Sequence, residues 1–172
     1  MYGQAAEALA EALVDNKIEL VYGGAHKGIM GVLADAMLAR GGRVQGVIPR
    51  MLEEKEIAHT GLSELHVVNS MHERKSMMAA LSDAFIALPG GFGTLEELIE
   101  ILTWGQLRFH EKPCGVLNVD GYFDKLIEFL DHMQDQQFLK PRNRAMLLVD
   151  TTASGLLAQF DSYAPPATDK WL

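Results

Sequence analysis

Pro89-Gly90-Gly91-Phe92-Gly93-Thr94-Leu95-Glu96-Glu97 joins an apolar run, residues 84–88, to an amphipathic segment, residues 94–107. The run has no polar interruption and reads as a strand, while Leu95, Leu98, Ile101 and Leu102 recur at helical spacing. Between the two lies backbone almost bare of side chains, which a ligand can approach closely. The first amides of a helix have no partner within it and carry the positive end of the macrodipole, so an anion such as phosphate is favoured there. Two other readings fit the same residues. Thr94 and Glu97 match a capping box, hydroxyl and carboxylate each taking a free amide of the helix start, and three glycines after a strand also make a tight turn. The density of glycine, with Glu at a fixed offset, favours the ligand reading.

The same alternation extends outward in both directions. Strand-like runs fall at 18–22, 44–48, 65–68, 84–88, 115–119 and 146–149, and helical patterns at 5–15, 28–40, 71–81, 94–107, 122–134 and 153–160. Strands alternating with helices predict an α/β fold, a doubly wound, Rossmann-like and mostly parallel sheet with helices on both faces. The 172 residues suit one domain, with 164–172, containing Pro165 and Pro166, as a loose tail. In such sheets ligands bind beyond the carboxyl ends of the strands. A second glycine loop, Tyr22-Gly23-Gly24-Ala25-His26-Lys27-Gly28-Ile29-Met30-Gly31, leaves another strand for a helix. It matches neither the dinucleotide fingerprint nor a P-loop, which gives NAD or ATP little support. A tight turn with close packing at Gly28 and Gly31 explains it equally well.

Composition narrows the partners. A net charge of -8 argues against an extended basic surface and so against nucleic acid, leaving small anionic ligands open. No apolar run approaches the roughly 20 residues that span a bilayer, and the first residues lack the order of a signal peptide, so no membrane partner and a cytoplasmic setting are expected. Cys114 is the single cysteine, and the six histidines show no HExxH spacing; neither a disulfide nor a metal site is expected.

Arg74 and Lys75 open the helical segment after the strand 65–68. In a parallel sheet that edge is shared with the loop at Pro89, so the pair is expected to face the same ligand as Gly91 and Thr94. Arg suits the task because its planar fork grips phosphate or carboxylate at two points. The competing reading is a solvated helix face with Arg74 bridging to an acid. A phosphate at the helix start with the Glu97 carboxylate one turn in points to chemistry at a sugar carbon. Cleaving a glycosidic bond builds positive charge on the ring, which a carboxylate stabilises, or else the carboxylate activates water against it. If backbone amides occupied Glu97, Glu96 or Glu100 would stand in.

Together with Tyr22-Gly23-Gly24, Gly28-Ile29-Met30-Gly31, Gly46-Val47-Ile48-Pro49, Met71-His72-Glu73-Arg74-Lys75, Trp104-Gly105-Gln106-Leu107 and Asn118-Val119-Asp120-Gly121, the stretch from Pro89 to Glu97 resembles the Lonely Guy (LOG) family over nearly the whole chain. Its members are cytokinin riboside 5'-monophosphate phosphoribohydrolases. The resemblance implies hydrolysis of the N-glycosidic bond of adenosine 5'-monophosphate, or an N6-substituted one, to free base and ribose 5-phosphate, with no cofactor and as a homodimer. It implies Arg74 and Glu97 as the catalytic pair. The substrate-binding residues it implies are Gly24, Glu56, Lys75, Gly90, Gly91, Phe92, Gly93, Thr94, Leu95, Glu96 and Thr103. Met77, Met78, Leu81, Trp104 and Leu107 suit a helical interface or a core alike. The lysine decarboxylase label often given to such proteins is not supported, since no pyridoxal phosphate domain is evident. A binding-only carrier or sensor would need the glycine loop alone, whereas an enzyme needs Arg74 and Glu97 as well.

Two departures stand out. Ala25 replaces the third glycine of the family's first loop, which leaves φ less free. The chain also opens directly into a helical pattern, where the family has a strand ending in a Gly-Ser loop. Strands 18–22 and 84–88 are therefore expected to be left with unpaired edges, and translation of the upstream DNA is expected to supply the missing strand.

Overall fold

The computed structural model describes residues 1–55 and 58–166. The chain divides into two compact units, Met1–Ser82 and Asp83–Leu172. Each is an α/β layer built on three parallel strands.

The first unit runs α1 (Tyr2–Asp15), β1 (Leu20–Tyr22), α2 (Gly28–Ala39), β2 (Val44–Pro49), α3 (Arg50–Glu53), β3 (Glu64–Val68) and α4 (Met71–Leu81). Its strands lie in the order β1-β2-β3, with Tyr22 opposite Gly46 and Pro49 opposite Val68. The central strand β2 buries Val44, Val47 and Ile48; adjacent Val47 and Ile48 point to opposite faces, so both faces are covered. On α1 the buried residues Ala6, Leu9, Ala10 and Leu13 form one helical stripe, and α2 supplies Leu33, Ala34 and Met37. Helix α1 stops at Lys17, whose φ of 57° is left-handed. There the Ile18 and Lys17 amides turn back to Leu13 and Val14, a Schellman ending.

The second unit runs β4 (Phe85–Ala87), α5 (Phe92–Gln106), β5 (Cys114–Leu117), a 3-10 turn (Val119–Gly121), α6 (Asp124–Asp135), α7 (Pro141–Arg144), β6 (Leu147–Asp150) and α8 (Ala153–Asp161). Its order is β4-β5-β6, with Ala87 opposite Val116 and Leu117 opposite Asp150. Leu98, Cys114, Val116, Phe123, Leu130 and Leu147 form its core, with Leu95, Ile101 and Leu102 of α5 packed against them. Burial pushes the Cys114 thiol up to about 12.

The expected alternation holds, with shifted boundaries. The strand expected at 115–119 gives way to the 3-10 turn at Val119, and α5 begins at Phe92 rather than Thr94. Helices α3 and α7 are single turns, too short to show periodicity in sequence. The one sheet expected is found as two ladders, one in each unit. Among the described residues β1 pairs with β2 alone and β4 with β5 alone, the two strands expected to have an open edge. No helix of the described residues is long and apolar enough to cross a membrane.

Candidate active site

The loop after β1 is built around a few contacts that only glycine permits. Gly24 has a φ of +75°, and its carbonyl accepts the His59 amide at 2.8 Å. Gly46 on β2 lies so close that a Cβ there would sit 2.8 Å from the Gly24 Cα. Gly31 packs under the loop, where a Cβ would collide with the His26 carbonyl oxygen. Ala25 tolerates its side chain because it lies outside the positive-φ set and forms a bridge with Ala58. The substitution of the family's third glycine therefore costs this loop no strain. Glu56 lies outside the described residues.

Gly23 has a different reason to be glycine. Its φ is not positive, yet a Cβ there would collide with Nη2 of Arg74. Arg74 reaches this place from the first turn of α4, and its Nε donates to the Val47 carbonyl at 3.1 Å. The strand ends of β1 and β2 thus seat the guanidinium, and the solvated-face reading of Arg74 gives way to a half-buried, oriented one. The start of α4 is itself fixed. Ser70 Oγ accepts the Glu73 amide at 3.1 Å and Glu73 Oε2 accepts the amide of Asn69, just before the N-cap, at 2.7 Å, a variant of the cap on the S-x-x-E pattern. Lys75 follows, half-buried.

In the second unit, α5 starts with no such closure. Its N-cap is Gly91, at φ -91°, and no side chain caps it. The alternative reading of a capping box between Thr94 and Glu97 does not hold: the Leu95 amide bonds the Gly91 carbonyl at 3.2 Å, and the N-cap is Gly91 rather than Thr94. Thr94 instead packs its hydroxyl onto Gly90, where a Cβ would collide with it. Gly91 and Gly93 have no positive φ, and a Cβ at either would meet nothing within 4 Å. The fold itself does not demand glycine at these two positions. What their bareness does is leave the first amides of α5 accessible.

Helical geometry sorts the remaining candidates. Gly93, Glu97 and Glu100 share one side of α5, and Glu97 and Glu100 are half-buried. Phe92, Glu96, Ile99 and Thr103 form an exposed stripe, with Phe92 93% exposed. Thr103 spends its hydroxyl on the Ile99 carbonyl at 2.7 Å and stands about 13 Å along the axis from Thr94, at 1.5 Å per residue. Within this unit it does not join the group at the helix start. Leu95 turns its side chain into the core and its amide onto Gly91, which makes it a support for the loop. Of the proposed interface residues, Met77, Met78 and Trp104 are half-buried, and Leu81 and Leu107 are exposed.

Sequence reasoning missed two features. The Ser70-x-x-Glu73 cap is legible as a pattern, but in sequence that template is weighed only at Thr94-x-x-Glu97, as the alternative to a ligand site. The Tyr122 hydroxyl, which donates to the Gly90 carbonyl at 2.7 Å, comes from 32 residues away and left no sequence signal. Among the described residues no group of three or more His, Cys, Asp or Glu side chains is placed to hold a metal.

Parallel strands feeding glycine-rich loops into helices define a Rossmann-like α/β protein. The fold is similar to that of a molybdenum cofactor binding protein from Rippkaea orientalis, with a TM-score of 0.71 at 19% identity, covering 94% of this chain and 86% of that one. Residues 30–160 match the family model described as "Possible lysine decarboxylase". The chain is 47% identical over 164 residues to the cytokinin riboside 5'-monophosphate phosphoribohydrolase LOG5 of Arabidopsis thaliana, covering 95% of this chain and 72% of the relative. It is 48% identical over 162 residues to the cytokinin riboside 5'-monophosphate phosphoribohydrolase of Rhodococcoides fascians, covering 94% and 82%. The chain belongs to the LOG family of phosphoribohydrolases.

Proposed function

We propose that this protein hydrolyses the N-glycosidic bond of adenosine 5'-monophosphate or its N6-substituted forms, releasing free base, cytokinin or adenine, and ribose 5-phosphate. The observation that carries the reading is the start of α5, where the N-cap is Gly91 and makes no side-chain cap. The names of the relatives at 47–48% identity support it. The uncapped amides of Gly91, Phe92, Gly93 and Thr94 hold the 5'-phosphate, the dipole of α5 adding to their attraction. Gly90, Leu95 and Glu96 shape the loop, and Gly24 and Lys75 complete the binding groups, with Glu56 and Thr103 as further substrate contacts.

In the reaction the C1'–N9 bond breaks, its electron pair leaves with the base, and water adds at C1'. Glu97 stabilises the positive charge that grows on the ribose or takes a proton from the attacking water. Arg74, with its guanidinium orientation set by Val47 and Gly23, orients the substrate and supports the leaving base. The chain needs no cofactor for this, and it works as a single hydrolase domain, as a homodimer, in the cytoplasm; the exposed Leu81 and Leu107 support a subunit contact.

The test is incubation with AMP and with isopentenyladenosine monophosphate, followed by assay of free base. Release that is lost in Glu97→Gln and Arg74→Ala bears the reading out. Release that survives both unchanged overturns the site assignment, and binding of AMP without release makes the protein a carrier or sensor.

A further inference from the structure

Residues 90–94 are three glycines with Phe92 and Thr94, and the carbonyl of Gly90 is held by a hydrogen bond from elsewhere in the second unit. Tyr122 Oη donates to that oxygen at 2.7 Å. The tyrosine stands on a stiff platform. Asn118, 7% exposed, donates through Nδ2 to Asp124 at 2.8 Å and accepts the Phe123 amide at 2.8 Å. Its own amide bonds the Asp150 carbonyl at 2.7 Å, which ties the turn to the end of β6. The turn itself passes through Asp120 at φ 52° and Gly121 at φ 69°, and the ring of Tyr122 meets Phe123 edge-on with centroids 5.1 Å apart. Phe123 is buried in the core.

A peptide unit is planar and trans, so its carbonyl and its amide point in opposite directions. Holding the Gly90 oxygen therefore fixes the direction of the Gly91 N–H, which belongs to the same peptide plane. A hydrogen bond accepted by the carbonyl also polarises the unit and makes that N–H a stronger donor. The need is clear from the sequence: glycines at 90, 91 and 93 have more conformational freedom to lose than any other residue. Thr94 restrains Gly90 from the helix side, and Tyr122 restrains it from the turn.

We propose that Tyr122 is a positioning residue for the anion-binding amides at the start of α5, aiming the Gly91 N–H at the phosphate of the substrate. This rests on the phosphoribohydrolase reading for the identity of the anion, while the tether itself applies to any phosphate bound there. Tyr122→Phe removes the hydroxyl and keeps the ring on Phe123. The expected result is a KM for AMP and an inhibition constant for ribose 5-phosphate that both rise about fivefold, the worth of one neutral hydrogen bond, with kcat and the melting temperature close to those of the unaltered protein. The second measurement needs no activity. The Gly91 amide, followed by nitrogen-15 NMR, is expected to shift on titration with ribose 5-phosphate, at about fivefold higher concentration in the variant. If the unaltered enzyme releases base and Tyr122→Phe changes neither KM nor the titration midpoint, the tether is overturned and the activity stands. If no base is released yet the variant weakens ribose 5-phosphate binding, the tether stands and the activity reading falls. A fall in kcat and melting temperature with KM and the titration midpoint unchanged marks a merely structural role and overturns the proposal.

Discussion

Helices α4 and α5 both follow a parallel strand and both begin beside residues assigned to the site, but their first turns are built in opposite ways. The start of α4 is closed: Ser70 takes the Glu73 amide and Glu73 takes the Asn69 amide just before the N-cap, and the carboxylate answers the helix dipole from within. The start of α5 is open, with a glycine N-cap and no capping side chain. The closed start presents a side chain, Arg74, from a fixed platform; the open start presents the backbone. A helix terminus can thus present a side chain or its own backbone, and the capping residues decide which. Helix α8 belongs with α4, since Thr152 Oγ1 accepts the Gly155 amide at 3.1 Å and Asp150 in turn accepts the Thr152 amide at 2.8 Å.

Removing the chemistry of the open helix should have the largest effect. Glu97→Gln is expected to lower kcat by about 10³-fold, in the range of a lost acid–base or electrostatic group, with KM for AMP nearly unchanged in steady-state assays. Gly23→Ala leaves both helix starts intact and moves the guanidinium off its seat. A misplacement near 1 Å can cost about 10²-fold, so kcat/KM should fall by that order while the circular dichroism spectrum is retained. Gly91→Asp would convert the open start into a closed one. Its carboxylate should raise KM about tenfold by competing with the phosphate, while thermal unfolding shows a gain of about 0.3–1 kcal/mol from the new cap. If Gly91→Asp binds ribose 5-phosphate as well as the unaltered protein, the contrast between the two helices has no functional meaning. Opening the closed start with Ser70→Ala should cost about 1 kcal/mol in urea unfolding. The smallest effect is expected at α8. Hydrogen bonds from Thr152, backbone first and then hydroxyl, hold the Asp150 carboxyl below its ordinary range. A lowered folded value means the stabilisation is present above the unfolded value of about 3.9 and is lost as pH falls through the folded one. Asp150→Asn should therefore melt slightly lower at neutral pH, with the difference closing in acid.

The order of strands and helices was legible because it rests on local apolar patterns. In the second unit the run Cys114 to Leu117 is buried throughout, and Leu95, Leu98, Ile101 and Leu102 pack on the core as their spacing implies. The start of α5 was not legible to the residue. Gly91, Phe92 and Gly93 offer no polar–apolar contrast, and placing the N-cap at Gly91 changes Thr94 from a cap into a residue of the first turn. The seat of Arg74 on Gly23 and the tether of Gly90 to Tyr122 depend on contacts between residues far apart in the chain, which no local pattern encodes. In sequence Gly23 reads only as part of a ligand-facing loop or a tight turn, whereas a side chain there would lie where that of Arg74 must be.

The segment bearing His59 gives the first unit an internal spectroscopic reporter. The Gly61 amide donates to His59 Nδ1 at 3.0 Å, so in the neutral ring the proton resides on Nε2, which lies 2.9 Å from Asp35 Oδ1 on α2. The same residue's amide holds the Gly24 carbonyl. The tautomer of one imidazole thus registers whether residues 58–61 are seated over the first glycine loop, and ring-nitrogen shifts can follow that seating as substrate is added.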